Sequence, residues 1–425
     1  MPSLNVPQAQ FLALPHKFKA FVAGFGSGKT WVGGAGLCKH AWEFPRINAG
    51  YFAPTYGQIR DIFFPTIEEV AADWGLIAKV NASNKEVHLY SGRRYRTTII
   101  CRSMDDPGKI VGFKIGKALV DELDVMRKLE AQTAWRKIIA RMRQVAPGLL
   151  NGIDVTTTPE GFKFVYEQFV KAVREKPELA GLYGLVQAST YQNAKNLPDD
   201  YISSLRASYP PQLISAYLRG QFVNLTSGSV YANFDRTLNH TDDTIRPGDA
   251  LHIGMDFNVL KMAAVVYVVR GGLPRAVAEL KDVRDTPEMA RILRERYRAA
   301  GHSIVIYPDA SGKNTSSKSA SESDLSILRG AGFQISVGTT NPAVKDRVSS
   351  VNGLLQNDNG ERRLLVNTHQ CPAFTEALEQ QPYDKNGEPD KTTGHDHLND
   401  AGGYPLVRLW PIVKRSAQRT KLQGT

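Results

Sequence analysis

Cysteine is scarce in this chain. Three stand among 425 residues, Cys38, Cys101 and Cys371, and none forms a Cys-x-x-Cys pair. That spacing argues against a disulfide framework and against a thiolate zinc site, and it fits a reducing compartment. Apolar runs are short, and none reaches the length that spans a bilayer, so no membrane partner is expected. Residues 1–10 are neither basic nor continuously apolar, so no signal peptide is expected. Internal repeats and long low-complexity tracts are also missing. What remains is ordinary globular composition, 42% hydrophobic and 22% charged, which argues against disorder throughout. The length exceeds one typical core and favours two or three domains. The formal net charge of +11 favours a polyanionic partner, although many basic proteins bind none.

Residues 18–225 alternate between short apolar segments and helical patterns. Strands are predicted at Phe21–Ala23, Tyr51–Ala53, Thr97–Cys101, Ala118–Val120, Ile153–Thr156 and Tyr183–Gln187. Asp61–Trp74 and Glu130–Arg143 are the clearest helices between them. Strands separated by helices imply a parallel sheet in an α/β fold. Residues 226–248 are polar, lack a period, and read as a junction. Closely spaced strands follow at Leu251–Asp256, Ala263–Arg270 and Arg275–Leu280, then a helix at Pro287–Ala299 and a strand at Ser303–Tyr307. This order predicts a mixed sheet for residues 249–412. Asp309–Asp324 reads as mobile, and residues 413–425 read as a basic, flexible tail.

The strongest motif is Ala23-Gly-Phe-Gly-Ser-Gly-Lys-Thr30, between a strand and a helical segment. A loop that wraps phosphate oxygens with backbone N–H groups must be rich in glycine, here Gly24, Gly26 and Gly28 around Ser27. Lys29 would reach the β- and γ-phosphates, and the Thr30 hydroxyl would sit on Mg²⁺. The helix behind adds its positive dipole end. Ala23 stands where the common pattern has glycine, and a simple glycine-rich turn is the plainer alternative. Ala118-Leu-Val-Asp-Glu122 supplies the second carboxylate site that such a loop needs: Asp121 to help hold Mg²⁺ and Glu122 to activate water. Thr156-Thr-Thr-Pro-Glu-Gly161 ends another strand, where hydroxyls could sense the γ-phosphate or merely leave through a turn.

Acidic residues also close elements of the second half. Asp256 and Asp309 end apolar strands, and Asp396 and Asp400 fall at i and i+4 of a segment predicted helical. If they converge, such carboxylates would hold two Mg²⁺ or Mn²⁺ ions about 4 Å apart, the arrangement used for phosphodiester cleavage. Each Asp could equally be a cap or a strand end. The His395-Asp-His397 run could suggest zinc, but the surplus of Asp favours a hard cation.

With these motifs in place, the chain resembles the large terminase subunit of tailed bacteriophages over about residues 7–411. Shared features are the phosphate loop, Ala53-Pro-Thr55, Asp121-Glu122, the Thr-rich segment, Leu218-Arg-Gly-Gln-Phe222, Tyr307-Pro-Asp-Ala-Ser311 and Asp396-His-Leu-Asn-Asp-Ala401. The resemblance implies an ASCE-type P-loop ATPase domain at 1–225 and an RNase H-like mixed α/β nuclease domain at 249–412. It implies ATP with Mg²⁺ at Lys29, Thr30 and Asp121, with Glu122 catalytic and Thr157 or Thr158 in the coupling motif. Gln8 resembles the adenine-reading glutamine, with Gln10 competing. Asp256, Asp309 and Asp400 would form the nuclease triad, with Asp396 the competitor for the third place. The H-x-x-D spacing from His397, seen in some members, favours Asp400. Arg102, Arg141 and Arg143 are candidate arginine fingers. Implied partners are double-stranded DNA, a portal protein, a small terminase subunit and further copies in a ring on the procapsid, within the host cytoplasm. Lys345 and Arg347 are candidates for sequence-blind phosphate contact, with a solvated charged face as the alternative. A helicase or repair ATPase fused to a nuclease is one rival, although no second motor core is visible. A non-cleaving assembly protein is the other, and intact Lys29, Glu122 and Asp residues argue against it.

Overall fold

Short apolar segments bounded by polar turns satisfy their backbones by pairing side by side, and a computed structural model of the chain shows how. It describes residues 3–209, 211–225, 228–258, 260–310, 324–357, 359–384 and 387–411. The chain divides into two units, Met1–Leu225 and Thr226–Thr425.

The first unit holds eight strands: β1 (Phe18–Ala23), β2 (Ala49–Ala53), β3 (Ile77–Asn81), β4 (Glu86–Ser91), β5 (Arg94–Ser103), β6 (Lys117–Asp121), β7 (Gly152–Thr157) and β8 (Tyr183–Ala188). Their order is β3-β4-β5-β2-β6-β7-β1-β8. From β5 to β8 the pairing is parallel. β3 and β4 add an antiparallel extension that the sequence did not announce. Every residue of β1 and β7 is buried, because helices cover both faces. Alternation sorts the side chains: Phe21 and Tyr51 pack on one face with Val32 and Ile67, whereas Val22 and Phe52 pack on the other with Trp135. Helix α1 (Val6–Ala13) precedes β1, and α2 (Lys29–Glu43) follows it. The helix expected at Glu130–Arg143 runs from Lys128 to Ile139. It stops early because Met142 bridges Ile115, drawing the chain into extended pairing.

The second unit has a six-stranded mixed sheet ordered β13-β12-β9-β10-β11-β14. The strands are β9 (Ala250–Asp256), β10 (Met262–Arg270), β11 (Leu273–Val283), β12 (Ser303–Pro308), β13 (Gln334–Ile335) and β14 (Leu365–Val366). β10 runs antiparallel to both neighbours, while β12 lies parallel to β9. The final helix, Asp396–Leu409, packs over β9 and β10. Within the stretch read as a junction, Val230 and Tyr231 are 2% exposed and belong to this unit's core. Asn239 is fully buried there and donates from Nδ2 to the carbonyls of Leu355 and Leu364, both at 3.0 Å. Polar residues thus anchor the stretch through buried hydrogen bonds, which a search for apolar periods misses. Residues 311–323 and the tail from residue 413 lie outside the described residues. No helix among those described is long and apolar enough to cross a membrane.

Candidate functional sites

β1 delivers the glycine-rich loop at its C-terminal end, and the loop turns directly into α2. Gly28 makes that turn at φ +80°, a left-handed conformation that glycine adopts without cost. Ser27 Oγ donates to the Gly24 carbonyl at 2.7 Å, and Lys29 Nζ folds back to the same oxygen at 3.1 Å. Side chains from elsewhere clamp the next two carbonyls: Thr190 Oγ1 donates to Phe25 O at 2.6 Å and Asn193 Nδ2 to Gly26 O at 2.8 Å. With its carbonyls held, the loop presents the first N–H groups of α2, which have no helical acceptor. That surface suits an anion.

β6 lies beside β7 and brings its terminal Asp121 to the same end. Asp121 is 3% exposed, and three hydroxyls address it. Thr30 Oγ1 and Tyr51 OH donate to its Oδ2 at 3.1 and 3.0 Å, and Thr156 Oγ1 donates to Oδ1 at 2.6 Å. Burial, with the neighbouring Glu122 charge, pushes the Asp121 carboxyl up to about 6 against the pull of Thr156, Tyr51 and Lys29. Glu122 turns the chain with φ +48°. Its carboxylate accepts from Thr158 N at 3.0 Å and Thr158 Oγ1 at 3.4 Å, and lies 3.7 Å from Lys29 Nζ. Thr157 Oγ1 accepts from Asp124 N at 3.2 Å. The two expected carboxylates are therefore tied by name to the Thr-rich strand end.

Gln8 is 5% exposed and caps α1 reciprocally with Asn5. Its Nε2 comes within 3.5 Å of the Gly28 carbonyl, whereas Gln10 is exposed. Arg102 lies over the Phe113 ring, 5.6 Å from its centroid, and Arg141 and Arg143 follow the helix Lys128–Ile139. Tyr51, Thr190 and Asn193 escaped sequence reading, and Thr156 was singled out only as part of the Thr-rich segment, without its bond to Asp121. Their hydroxyls and amide act through tertiary contacts that carry no local spacing.

In the second unit, β9 and β12 run parallel with Pro308 beside Met255, so Asp256 and Asp309 leave the sheet at neighbouring points. Asp309 N donates to the Met255 carbonyl at 3.0 Å. Asp396 and Asp400 lie on the final helix, whose N-cap is His395. His397 Nδ1 is 3.0 Å from Asp256 Oδ2 and 3.8 Å from Asp396 Oδ2. The hydrogen bond to Asp256 raises the His397 imidazole above its ordinary value. Burial pushes Asp400 up to about 6, with Arg347 opposing and the Asp256 and Asp396 charges adding. Asp396 Oδ1 is buried without a hydrogen-bond partner.

The carboxylates share a neighbourhood, but each has its own protein partner: His397 for Asp256, Asn341 for Asp309 and Arg347 for Asp400. Among the described residues, ligand atoms of Asp256, Asp309 and Asp400 do not gather within 4.8 Å of one another. An all-oxygen donor set with an unpartnered buried oxygen fits hard divalent cations. Arg347 departs from expectation. Its side chain is 5% exposed and paired with Asp400, so it is no surface phosphate contact, whereas Lys345 remains exposed.

Two family models match the chain. Residues 20–238 match the one described as terminase large subunit, T4likevirus-type, N-terminal, and residues 253–409 match the terminase RNaseH-like domain. Solved structures similar to the chain include the large terminase of a thermophilic bacteriophage, at 16% identity and TM-score 0.46, covering 96% of this chain and 99% of that one. The large terminase of bacteriophage HK97 matches at 13% identity and TM-score 0.42, over 96% and 95% of the two chains. The nuclease domain of the bacteriophage SPP1 large terminase matches at 19% identity and TM-score 0.28, over 40% and 91%. No curated protein matches the chain.

Proposed function

The chain belongs to the terminase large-subunit family, whose members join an ATPase domain to an RNase H-like nuclease domain in a viral DNA-packaging motor, and on that premise we propose how its own residues divide the work. The ATPase domain spans residues 1–225 and the nuclease domain residues 249–412, with the stretch 226–248 packed into the nuclease unit's core and 413–425 a basic tail. In the first domain, the loop Gly24–Thr30 holds the phosphates of ATP, and Thr30 and Asp121 hold its Mg²⁺. Gln8, buried against the loop, reads the adenine. The bound magnesium nucleotide supplies the γ-phosphate whose charge Lys29 offsets. Glu122 orients water, and Thr157 and Thr158 relay a change at Glu122 to the strand behind it. The observation that carries this reading is the chain of contacts Thr30–Asp121–Thr156 beside Lys29–Glu122–Thr158.

In the second domain, Asp256, Asp309 and Asp400, with Asp396 alongside, hold two Mg²⁺ or Mn²⁺ ions that lower the barrier to phosphodiester cleavage. Asp400, paired with Arg347 in this structure, would supply the third carboxylate of the set. His397 keeps Asp256 oriented through a short contact. Double-stranded DNA is moved by the first domain and cut by the second, and its backbone rather than its sequence is gripped. A portal protein, a small terminase subunit and further copies in a ring complete the machine in the host cytoplasm.

The test pairs two variants of the full chain. Lys29→Ala is expected to abolish ATP turnover and keep Mn²⁺-dependent plasmid nicking. Asp256→Ala is expected to do the reverse. Loss of both activities in either variant, or nicking that survives Asp256→Ala, overturns the assignment.

A further inference from the structure

His240, Asp242 and His369 stand together in the second unit, three strands away from β9 in the sheet order and apart from the Asp256 carboxylates. One ligand atom from each lies within 4.8 Å of the other two, and among the described residues no other group of three or more His, Cys, Asp or Glu does this. His240 Nε2 is 3.1 Å from Asp242 Oδ1, and the two imidazole rings meet edge-on with centroids 5.0 Å apart. The other nitrogen of His240, Nδ1, lies 2.8 Å from Thr368 Oγ1. A metal-bound histidine ordinarily has such a partner, which fixes the tautomer that turns an unprotonated nitrogen to the ion.

The backbone beneath these side chains is pinned. His240 bridges Val366 of β14, with Thr241 N donating to Val366 O at 3.1 Å and Val366 N to Asn239 O at 2.8 Å. Asn367 ties the turn after β14 back to the first segment, donating from Nδ2 to Asp243 O at 3.0 Å while its Oδ1 accepts from His369 N at 3.2 Å. Two segments far apart in sequence are thus held at one spacing before any ion arrives. Preorganised ligands bind more tightly because less ordering is left to do.

We propose that His240, Asp242 and His369 form a binding site for a zinc-class divalent transition ion, separate from the nuclease centre. Two imidazoles and one carboxylate suit a borderline ion such as Zn²⁺, which takes nitrogen and oxygen ligands in tetrahedral geometry, with water completing the fourth place. Mg²⁺ prefers oxygen donors and is a poor competitor here. Bound at this position, the ion clips the stretch preceding β9 to the edge strand β14.

The test uses the full chain stripped by chelator and returned to buffer with excess Mg²⁺, which fills the oxygen-only sites. Zn²⁺ is then titrated calorimetrically, and Co²⁺ is added separately to read tetrahedral coordination from its visible absorption. Wild type and Asp256→Asn are expected to bind one tight equivalent of Zn²⁺ and to show the tetrahedral Co²⁺ bands. His369→Ala and Asp242→Asn, both at exposed positions, are expected to lose the tight equivalent and its bands. Thr368→Val should weaken binding about tenfold to a hundredfold. Tight Zn²⁺ binding retained in His369→Ala, lost in Asp256→Asn, or missing from wild type overturns the proposal.

Discussion

Arg347 donates from Nη2 to Oδ1 of Asp400, joining the helix Val344–Leu355 to the final helix beside Asp256. The guanidinium lies over the Tyr404 ring, 5.1 Å from its centroid, and is almost wholly enclosed. With a smaller contribution from Lys391, it opposes burial and the Asp256 and Asp396 charges at Asp400. Arg347→Met is therefore expected to raise the Asp400 carboxyl further. The acid limb of Mn²⁺-dependent nicking should move to higher pH by about one unit or more. A pH profile of plasmid nicking checks this, and an unmoved limb would contradict the role given to Asp400.

Thr158 holds Glu122 through both its N–H and its hydroxyl. Glu122→Gln should slow ATP turnover by about 10²- to 10⁴-fold. Thr158→Val removes only one of the two contacts, so a smaller loss in kcat is expected with KM for ATP little changed. Steady-state ATPase assays of the two variants separate these outcomes, and a Thr158→Val effect confined to KM would count against positioning.

Asp154 is buried in β7 between Lys117 at 2.6 Å and Lys19 at 3.6 Å. Burial alone would raise its carboxyl, but the two ammonium groups outweigh it and hold Asp154 below the ordinary range. Asp154→Asn leaves two cations in the core without their anion, at a cost of about 3–5 kcal/mol. Urea unfolding followed by tryptophan fluorescence measures it. A cost under ~1 kcal/mol would show that water reaches the lysines.

Burial lowers His40 to about 4, well under its ordinary value near 6.5, with Nε2 bonded to the Ile47 carbonyl at 3.0 Å. The unfolded chain binds the proton first as pH falls. The contribution of His40 to stability is thus expected to decline from about pH 6.5 down to about pH 4 and then to level off, losing roughly 3 kcal/mol, while the raised Asp121 and Asp124 carboxyls act in the opposite direction. The difference in urea midpoint between wild type and His40→Gln across that range isolates this group and checks the sign.

The phosphate loop and the Asp121-Glu122 strand end were legible because the chemistry is local: a glycine pattern, and an apolar run that stops on carboxylates. β1, β2, β5, β6, β7 and β8 were legible for the same reason. β3 was not, since Ile77–Asn81 has no fully buried residue and lies at the sheet edge. β13 and β14 have two residues each, too few for alternation to register. Arg347 was misread as a phosphate contact because Lys345 and Arg347 look alike in sequence. The helix turns one to solvent and the other toward Asp400, a partner that only the folded chain supplies. Tyr51 was invisible as a site residue, because a tyrosine in a buried strand normally signals packing.

Gly254 sits where the final helix crosses β9, and a Cβ at this residue would overlap the Ala401 carbonyl oxygen. The strand bearing Asp256 and the helix bearing Asp396 and Asp400 can therefore touch backbone to backbone. A single methyl at Gly254 would act as a wedge, lifting the helix and widening the gap between carboxylates without altering one of them. On the proposed assignment, the spacing of these carboxylates thus rests on a clearance smaller than a side chain, set by a residue that has no functional group at all.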